Sequence, residues 1–205
     1  MAHARILETS VHFFGRLGFE GASTREIARA SDVAMSSITY HFGGKEGLYL
    51  ATADHIATQI RERTAPLLDR VAAAEINGRE TAIELLLAVL DGIAEMMLSA
   101  ETEYWACYII REQQEPTEAF ERLYQGAIRR VADTLIRLVA MARPDLDDRQ
   151  GRVTAIMLFG QAMILRSSRT TVCRVLGTSD LDEADQALLR ERLRANALTV
   201  LSEAP

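Results

Sequence analysis

The chain has 205 residues, 48% of them hydrophobic and 25% charged, with a formal net charge of −6 at pH 7. That length makes one or two compact units, and the acidic balance argues against a protein that grips polyanions without regard to sequence. The longest clean apolar run, Leu85 to Leu90, is far too short to span a bilayer.

The first predicted helix carries Ile6, Leu7, Phe13, Phe14 and Leu17 at helical spacing and ends at Gly18 and Gly21. With helical pattern already at the N-terminus, no signal peptide is expected. Ser23-Thr24-Arg25-Glu26 has the pattern of a capping box, in which Ser23 and Glu26 would satisfy each other's backbone N–H groups. Thr24 and Arg25 are then left at a helix N-terminus, a natural place for a phosphate. The second helix spans about residues 24 to 31, with Ile27 and Ala28 inward, and Asp32-Val33 makes the turn.

The third helix is predicted from Met35 to Phe42. At roughly 100° per residue, Ala34, Ile38 and Phe42 form its buried edge. Ser36, Ser37 and Tyr40 fall on the far side, with Thr39 and His41 at the flanks. A small, hydroxyl-rich face lets a backbone approach base edges, and the Thr39 methyl suits a thymine methyl. Gly43-Gly44 breaks the helix, and Lys45 opens the fourth. Lys45 is the only lysine in the chain, beside twenty-two arginines. Residues 1 to 47 hold five basic and five acidic side chains, so any nucleic-acid contact depends on a few placed cations and not on a basic patch.

Beyond Leu48 the pattern is helical throughout. Pro66 ends or kinks the fourth helix. Asn77-Gly78 is a turn, and Ile83, Leu86, Leu87, Leu90, Ile93 and Met97 mark the next helix. A shorter helix is expected from Glu101 to Gln114. A long one comes next, with Pro116 in its first turn and its end near Ala142. Its inward residues are Phe120, Leu123, Ile128, Val131, Leu135 and Leu138. Helices from about Asp147 to Ser168 and Asp182 to Ser202 complete the chain, with an irregular or short helical stretch around Thr170 to Gly177. The expectation is an all-α fold of about nine helices. Residues 1–48 form a three-helix helix-turn-helix domain, and residues 49–205 form a helical effector-binding and dimerisation domain.

The N-terminal segment resembles the DNA-binding domain of the TetR family of bacterial one-component regulators. The resemblance rests on Gly18-Phe19-Glu20-Gly21, Thr24, Ile27-Ala28, Val33, Ile38, Tyr40-His41-Phe42 and Lys45-Glu46-Gly47-Leu48, in order and at family spacing. It implies that Thr24, Tyr40 and Lys45 meet phosphates. It also implies that Arg25, Ser36, Ser37, Thr39 and His41 reach bases or nearby backbone. The sequence departs from the family at Thr39, where tyrosine is common, and at Ala34, where a serine usually caps the recognition helix. Arg111-Glu112-Gln113, Pro116-Thr117, Ala119-Phe120 and Leu123-Tyr124 are similar to a narrower subgroup, the CecR-like regulators.

The resemblance implies a homodimeric regulator, a repressor, which binds a near-palindromic operator and answers to a small-molecule effector. Effector candidates are Met97, Tyr104, Trp105, Tyr108, Arg111, Glu112, Met157 and Met163, large or adaptable side chains with a few polar groups; core packing uses the same residue types. Residues 153 to 165 are apolar nearly all round, which requires cover on most sides. Phe159, Gly160, Ala162 and Met163, with Leu193, Ala197 and Leu201 of the last helix, are therefore the expected dimer interface, four helices across a two-fold axis. Cys107 and Cys173 are far apart and lack zinc-site spacing, which fits a reducing cytoplasm. No catalytic motif, metal site or cofactor is indicated. The alternatives are a DNA-binding regulator without an effector, or a small all-α enzyme.

Overall fold

The computed structural model describes residues 2–202. Every regular element among them is helical: α1 (Ala2–Gly21), α2 (Thr24–Ala30), α3 (Met35–Phe42), α4 (Lys45–Ala73), α5 (Arg79–Leu98), α6 (Glu103–Gln114), α7 (Glu118–Leu123), α8 (Arg129–Ala142), α9 (Asp148–Ser167), α10 (Arg169–Leu176) and α11 (Glu183–Ser202). A 3₁₀ turn, Ala100–Thr102, precedes α6, and a π-helical turn, Tyr124–Ile128, joins α7 to α8. Counted through that turn, α7 and α8 are one helical rod. The extra segments over the nine expected are thus this division and α10, which occupies the stretch expected to be irregular or briefly helical. Among the described residues no helix is long and apolar enough to cross a membrane.

The chain divides into two compact units: Met1–Arg63 with Glu101–Arg129, and Thr64–Ala100 with Arg130–Pro205. Helix α4 carries the chain from the first into the second. Pro66 lies inside it, and the helix runs seven residues past the proline.

In the first unit α1 packs along α6. The approach is close because position 15 has no side chain: a Cβ on Gly15 would lie 2.1 Å from the Tyr104 carbonyl oxygen. Ile6, Leu7 and Phe14 bury one face of α1, and Ser10 on the same face donates to the Ile6 carbonyl. Ile27, Ala28, Ile38, Leu48, Ala53, Ile56 and Tyr108 complete this core. Gly18 takes φ +72°, ψ 179°, so α1 is kinked three residues before its end. A left-handed φ of this kind is nearly free only for glycine.

Two details of this unit correct the expectations. Ser23 is the N-cap of α2, yet its side chain makes no capping bond. The first turn closes through the Ser23 carbonyl, which accepts from Ile27 N–H at 2.9 Å. In α3 only Ile38 is buried; Ala34 is exposed and Phe42 half-buried. The Phe42 ring stacks on His3, with centroids 4.9 Å apart, so α1 covers it only partly.

The second unit is built around α5, which is apolar on most sides and packs against α9 and α11. Leu86, Leu90, Ala94, Leu138, Leu158, Ala162 and Leu201 lie in one continuous aliphatic cluster. The C-terminal ends of α5 and α11 are closed by arginines. Arg166 donates to the carbonyls of Met97 and Ser99 at 2.8 and 2.5 Å. Arg143 donates to Val200 at 2.6 Å, and Arg79 to Leu201 at 2.7 Å. These cations satisfy carbonyls that a helix end leaves unpaired and oppose its dipole. The capping box absent from α2 is present on α9, where Asp147 and Gln150 cap each other's backbone N–H.

The long helix expected from Pro116 begins two residues later. Thr117 is its N-cap and accepts from Ala119 N–H, which places Pro116 outside the helix. The π turn is also wider than a turn of α-helix, so the inward position shifts locally, while Val131, Leu135 and Leu138 beyond it are buried as expected. Ala127 is buried, while the expected inward Ile128 is only half-buried.

Candidate nucleic-acid interface

The site rests on three short stretches, each held by a fully buried aliphatic side chain. Ile27 anchors α2, Ile38 anchors α3, and Leu48 anchors the start of α4. Each leaves its opposite face in solvent. On α3, Ser36, Thr39 and His41 are exposed and Ser37 is half-buried. Tyr40 is 85% exposed. A phenol left this open contributes little to the core and offers its hydroxyl and much of its ring to a partner. His41 packs edge-on against Tyr40 and His3, at 5.0 and 5.9 Å between centroids.

Thr24 is the first residue of α2 and half-buried, and Arg25 beside it is exposed. Helix α3 stops at Gly43, which is left-handed, and α4 starts at Lys45. Two helix N-termini, those of α2 and α4, therefore come before and after α3 in the chain, each with the N–H groups of a first turn suited to an anion. Lys45 is half-buried. Its ammonium lies 4.7 Å from the centre of the Phe19 ring and donates to the Glu20 carbonyl at 3.2 Å.

The same unit holds an aromatic and polar cluster whose centre, Tyr49, sequence reasoning missed. Phe14, Phe19 and Tyr108 surround Tyr49, at 4.9, 5.1 and 4.6 Å between centroids. The Tyr49 hydroxyl donates to Glu112 at 2.6 Å. The other Glu112 oxygen accepts from Thr117 N–H at 3.1 Å and Thr117 O–H at 2.8 Å. The Tyr108 hydroxyl donates to the Tyr49 carbonyl at 2.9 Å. Burial and the Glu112 carboxylate push the Tyr49 phenol far above its ordinary pKa. Burial and Tyr49 do the same to Tyr108. Both therefore stay neutral donors. Tyr49 stands one turn beyond Lys45 on α4, and that spacing is the signal that could have found it.

The expected effector residues are dispersed. Tyr104, Trp105, Tyr108, Arg111 and Glu112 lie on α6 in the first unit. Trp105 donates to the Glu101 carbonyl and Arg111 to the Arg16 carbonyl. Tyr104 is half-buried against His12, at 4.2 Å. Trp105, Tyr108 and Glu112 are buried core members, Glu112 at 2% exposure. Arg111 and Glu112 line an open cleft of ≈ 670 Å³ with Gly18, Phe19 and Tyr49. Met97 belongs to the core of the second unit, Met163 is half-buried and Met157 is 66% exposed. Of the expected interface residues, Ala162, Leu193, Ala197 and Leu201 are buried inside the second unit. Phe159 and Met163 are half-buried and Gly160 is exposed. Both cysteines are free, and among the described residues no cluster of His, Cys, Asp and Glu could hold a metal.

This arrangement has counterparts. The profile described as "Bacterial regulatory proteins, tetR family" matches residues 6–52. That described as "HTH-type transcriptional dual regulator CecR, C-terminal domain" matches residues 82–203. The chain is 28% identical over 204 residues to the HTH-type transcriptional dual regulator CecR of Shigella flexneri, covering 98% of this chain and 91% of that one. The crystal structure of AibR with isovaleryl coenzyme A and operator DNA aligns with a TM-score of 0.70 at 17% identity, covering 98% of this chain and 97% of that one. FadR of Bacillus subtilis with stearoyl-CoA aligns at 0.66 and 15% identity, covering 96% and 98%. At those identities the likeness to the two structures is one of fold.

Proposed function

This chain is a DNA-binding transcriptional regulator of the TetR family, in the branch with the CecR C-terminal domain, and we propose that it is a homodimeric repressor released by a small-molecule effector. The observation that carries the DNA reading is the face of α3, with Ser36, Thr39 and Tyr40 in solvent. In this reading residues 1–48 read the operator and residues 49–205 bind the effector and dimerise. Two copies of α3 enter successive major grooves about 34–36 Å apart.

The dimer surface is the outer stripe of α9. Val153, Ile156, Met157, Gly160 and Ile164 recur at helical spacing and are exposed, and Leu188 of α11 is exposed as well. This stripe replaces Ala162, Leu193, Ala197 and Leu201, which the core of one chain already occupies. A second copy covers the stripe by two-fold symmetry. Ile156→Glu with Met157→Glu then yields a folded monomer in sedimentation; a dimer that persists sinks this surface.

The effector is a small amphipathic molecule, and acyl-coenzyme A compounds, bound by AibR and FadR, are the class to try first. Tyr104 and Arg111 keep exposed atoms for it, while Glu112 and Tyr108 serve the fold. It relieves repression only as far as it binds the DNA-free state more tightly. Helix α4, which begins at Lys45 and continues into the second unit, is the route for that change.

Footprinting on DNA surrounding the coding region tests the reading. One protected near-palindrome, lost with Tyr40→Ala and Thr39→Ala, is expected. Uniform protection of every fragment across about 50–200 mM salt would instead mark a non-specific binder.

A further inference from the structure

We infer that Phe19 and the Glu20 carbonyl form a cradle that positions Lys45 for a DNA phosphate, which makes Phe19 a positioning residue for operator binding. The inference rests on the reading that Lys45 meets a phosphate. Three observations build the cradle. The kink at Gly18, with φ +72°, breaks the helix immediately before Phe19 and Glu20. The Phe19 ring is held by Tyr49 at 5.1 Å and Phe14 at 6.5 Å. The Lys45 ammonium then sits 4.7 Å from the ring centre and 3.2 Å from the Glu20 oxygen.

The chemistry of an ammonium makes the arrangement useful. It has three N–H donors. Glu20 takes one, and the ring attracts the charge without taking a specific donor. Two donors remain for phosphate oxygens. Lysine is otherwise a flexible stem whose freedom must be given up on binding. A lysine held in place before DNA arrives loses less at that step, which is preorganisation. The first turn of α4 adds its own free N–H groups to the same place.

The opposite arrangement makes the opposite prediction, because a cradle that withholds Lys45 would weaken binding. Full-length protein is titrated with the footprinted operator fragment across about 50–200 mM salt, as wild type, Lys45→Gln, Phe19→Leu, Phe19→Tyr and the double variant Phe19→Leu/Lys45→Gln. Loss of the lysine lowers the salt slope by about 0.9. Phe19→Leu weakens binding about two- to fivefold with the slope unchanged, and Phe19→Tyr, which keeps a ring face, stays near wild type. The double variant binds like Lys45→Gln alone, because Phe19 acts through the lysine. A Phe19→Leu effect of equal size in both backgrounds makes Phe19 merely structural and overturns the inference. Tighter binding by Phe19→Leu overturns it by sign. Unchanged affinity and slope in Lys45→Gln removes the phosphate reading itself, a result distinct from the other two. Should Phe19→Leu not fold, Phe19→Met takes its place in the same cycle.

Discussion

The two units of this chain use helices for different ends. The second is held by an aliphatic cluster around α5, with arginines closing its helix ends. The first has fewer aliphatic contacts and a buried polar cluster, Tyr49, Tyr108, Glu112 and Thr117, at its centre. Such a network is stable only when every member is paired, and here each pairing joins α6 either to α4 or to the start of α7. The reading elements are therefore fixed by residues about sixty positions away in sequence. Aliphatic packing tolerates small shifts in position; a set of 2.6–3.1 Å bonds does not.

The largest expected difference comes from the aliphatic unit. Leu90 is fully buried in α5. Leu90→Ala should destabilise the second unit by about 2–5 kcal/mol, read as a lower denaturation midpoint. A loss under about 1 kcal/mol would mean the cluster is loosely packed and the contrast with the first unit is false.

Gly15→Ala probes the first unit in the reverse way, by adding volume. Its Cβ would lie 2.1 Å from a backbone oxygen of Tyr104, so α1 and α6 must separate. Overpacking of this kind costs about 1–3 kcal/mol, against which alanine's better helix propensity offsets up to about 1 kcal/mol. Operator affinity should fall with stability, since α1 supports α2 and α3. A stable variant with wild-type affinity would show that the α1–α6 contact is not needed to hold the reading face.

Glu112→Gln is smaller still. Its amide keeps one acceptor oxygen and loses the charge-assisted bonds, a difference of about 1 kcal/mol. The expected result is a lower melting temperature with no change in the salt slope of DNA binding. A change of slope would place Glu112 in the electrostatics of the interface instead of its framework.

Legibility in the sequence divides along the same line. Helices appear in the spacing of apolar residues, and Ile27, Ile38 and Leu90 were legible as inward for that reason. The polar face of α3 was legible because the residues opposite Ile38 are all small or hydroxylated. The partners of Glu112 were not, because Tyr49 is 63 positions away and no local spacing records such a pairing. Helix α9 marks another limit. Its residues 153 to 165 are apolar nearly all round, so periodicity cannot say which side faces α5 and which faces out; Ala162 and Ile156 look alike until the fold separates them. At the π turn the chain departs from 3.6 residues per turn, and the inward assignment fails only there, at half-buried Ile128, while Val131, Leu135 and Leu138 beyond it are buried.

The smallest expected effect separates the units by pH alone. All four histidines, His3, His12, His41 and His55, fall in the first unit and none in the second. His55 on α4 has its pKa lowered, chiefly by burial and slightly by His3, against a smaller upward pull from Glu8 and Glu62. The folded unit therefore binds a proton at His55 less readily than the unfolded chain does. Stability is fully present above the unfolded pKa, and it declines as pH falls from about 7 towards 5. His55→Gln should flatten that decline in the first unit, read by hydrogen exchange at amides of α1 and α6. The exchange of α5 and α11 should show no histidine-dependent change over the same range. An equal response in both units would mean that they open as one body, and that the polar cluster and the aliphatic cluster share a single cooperative transition.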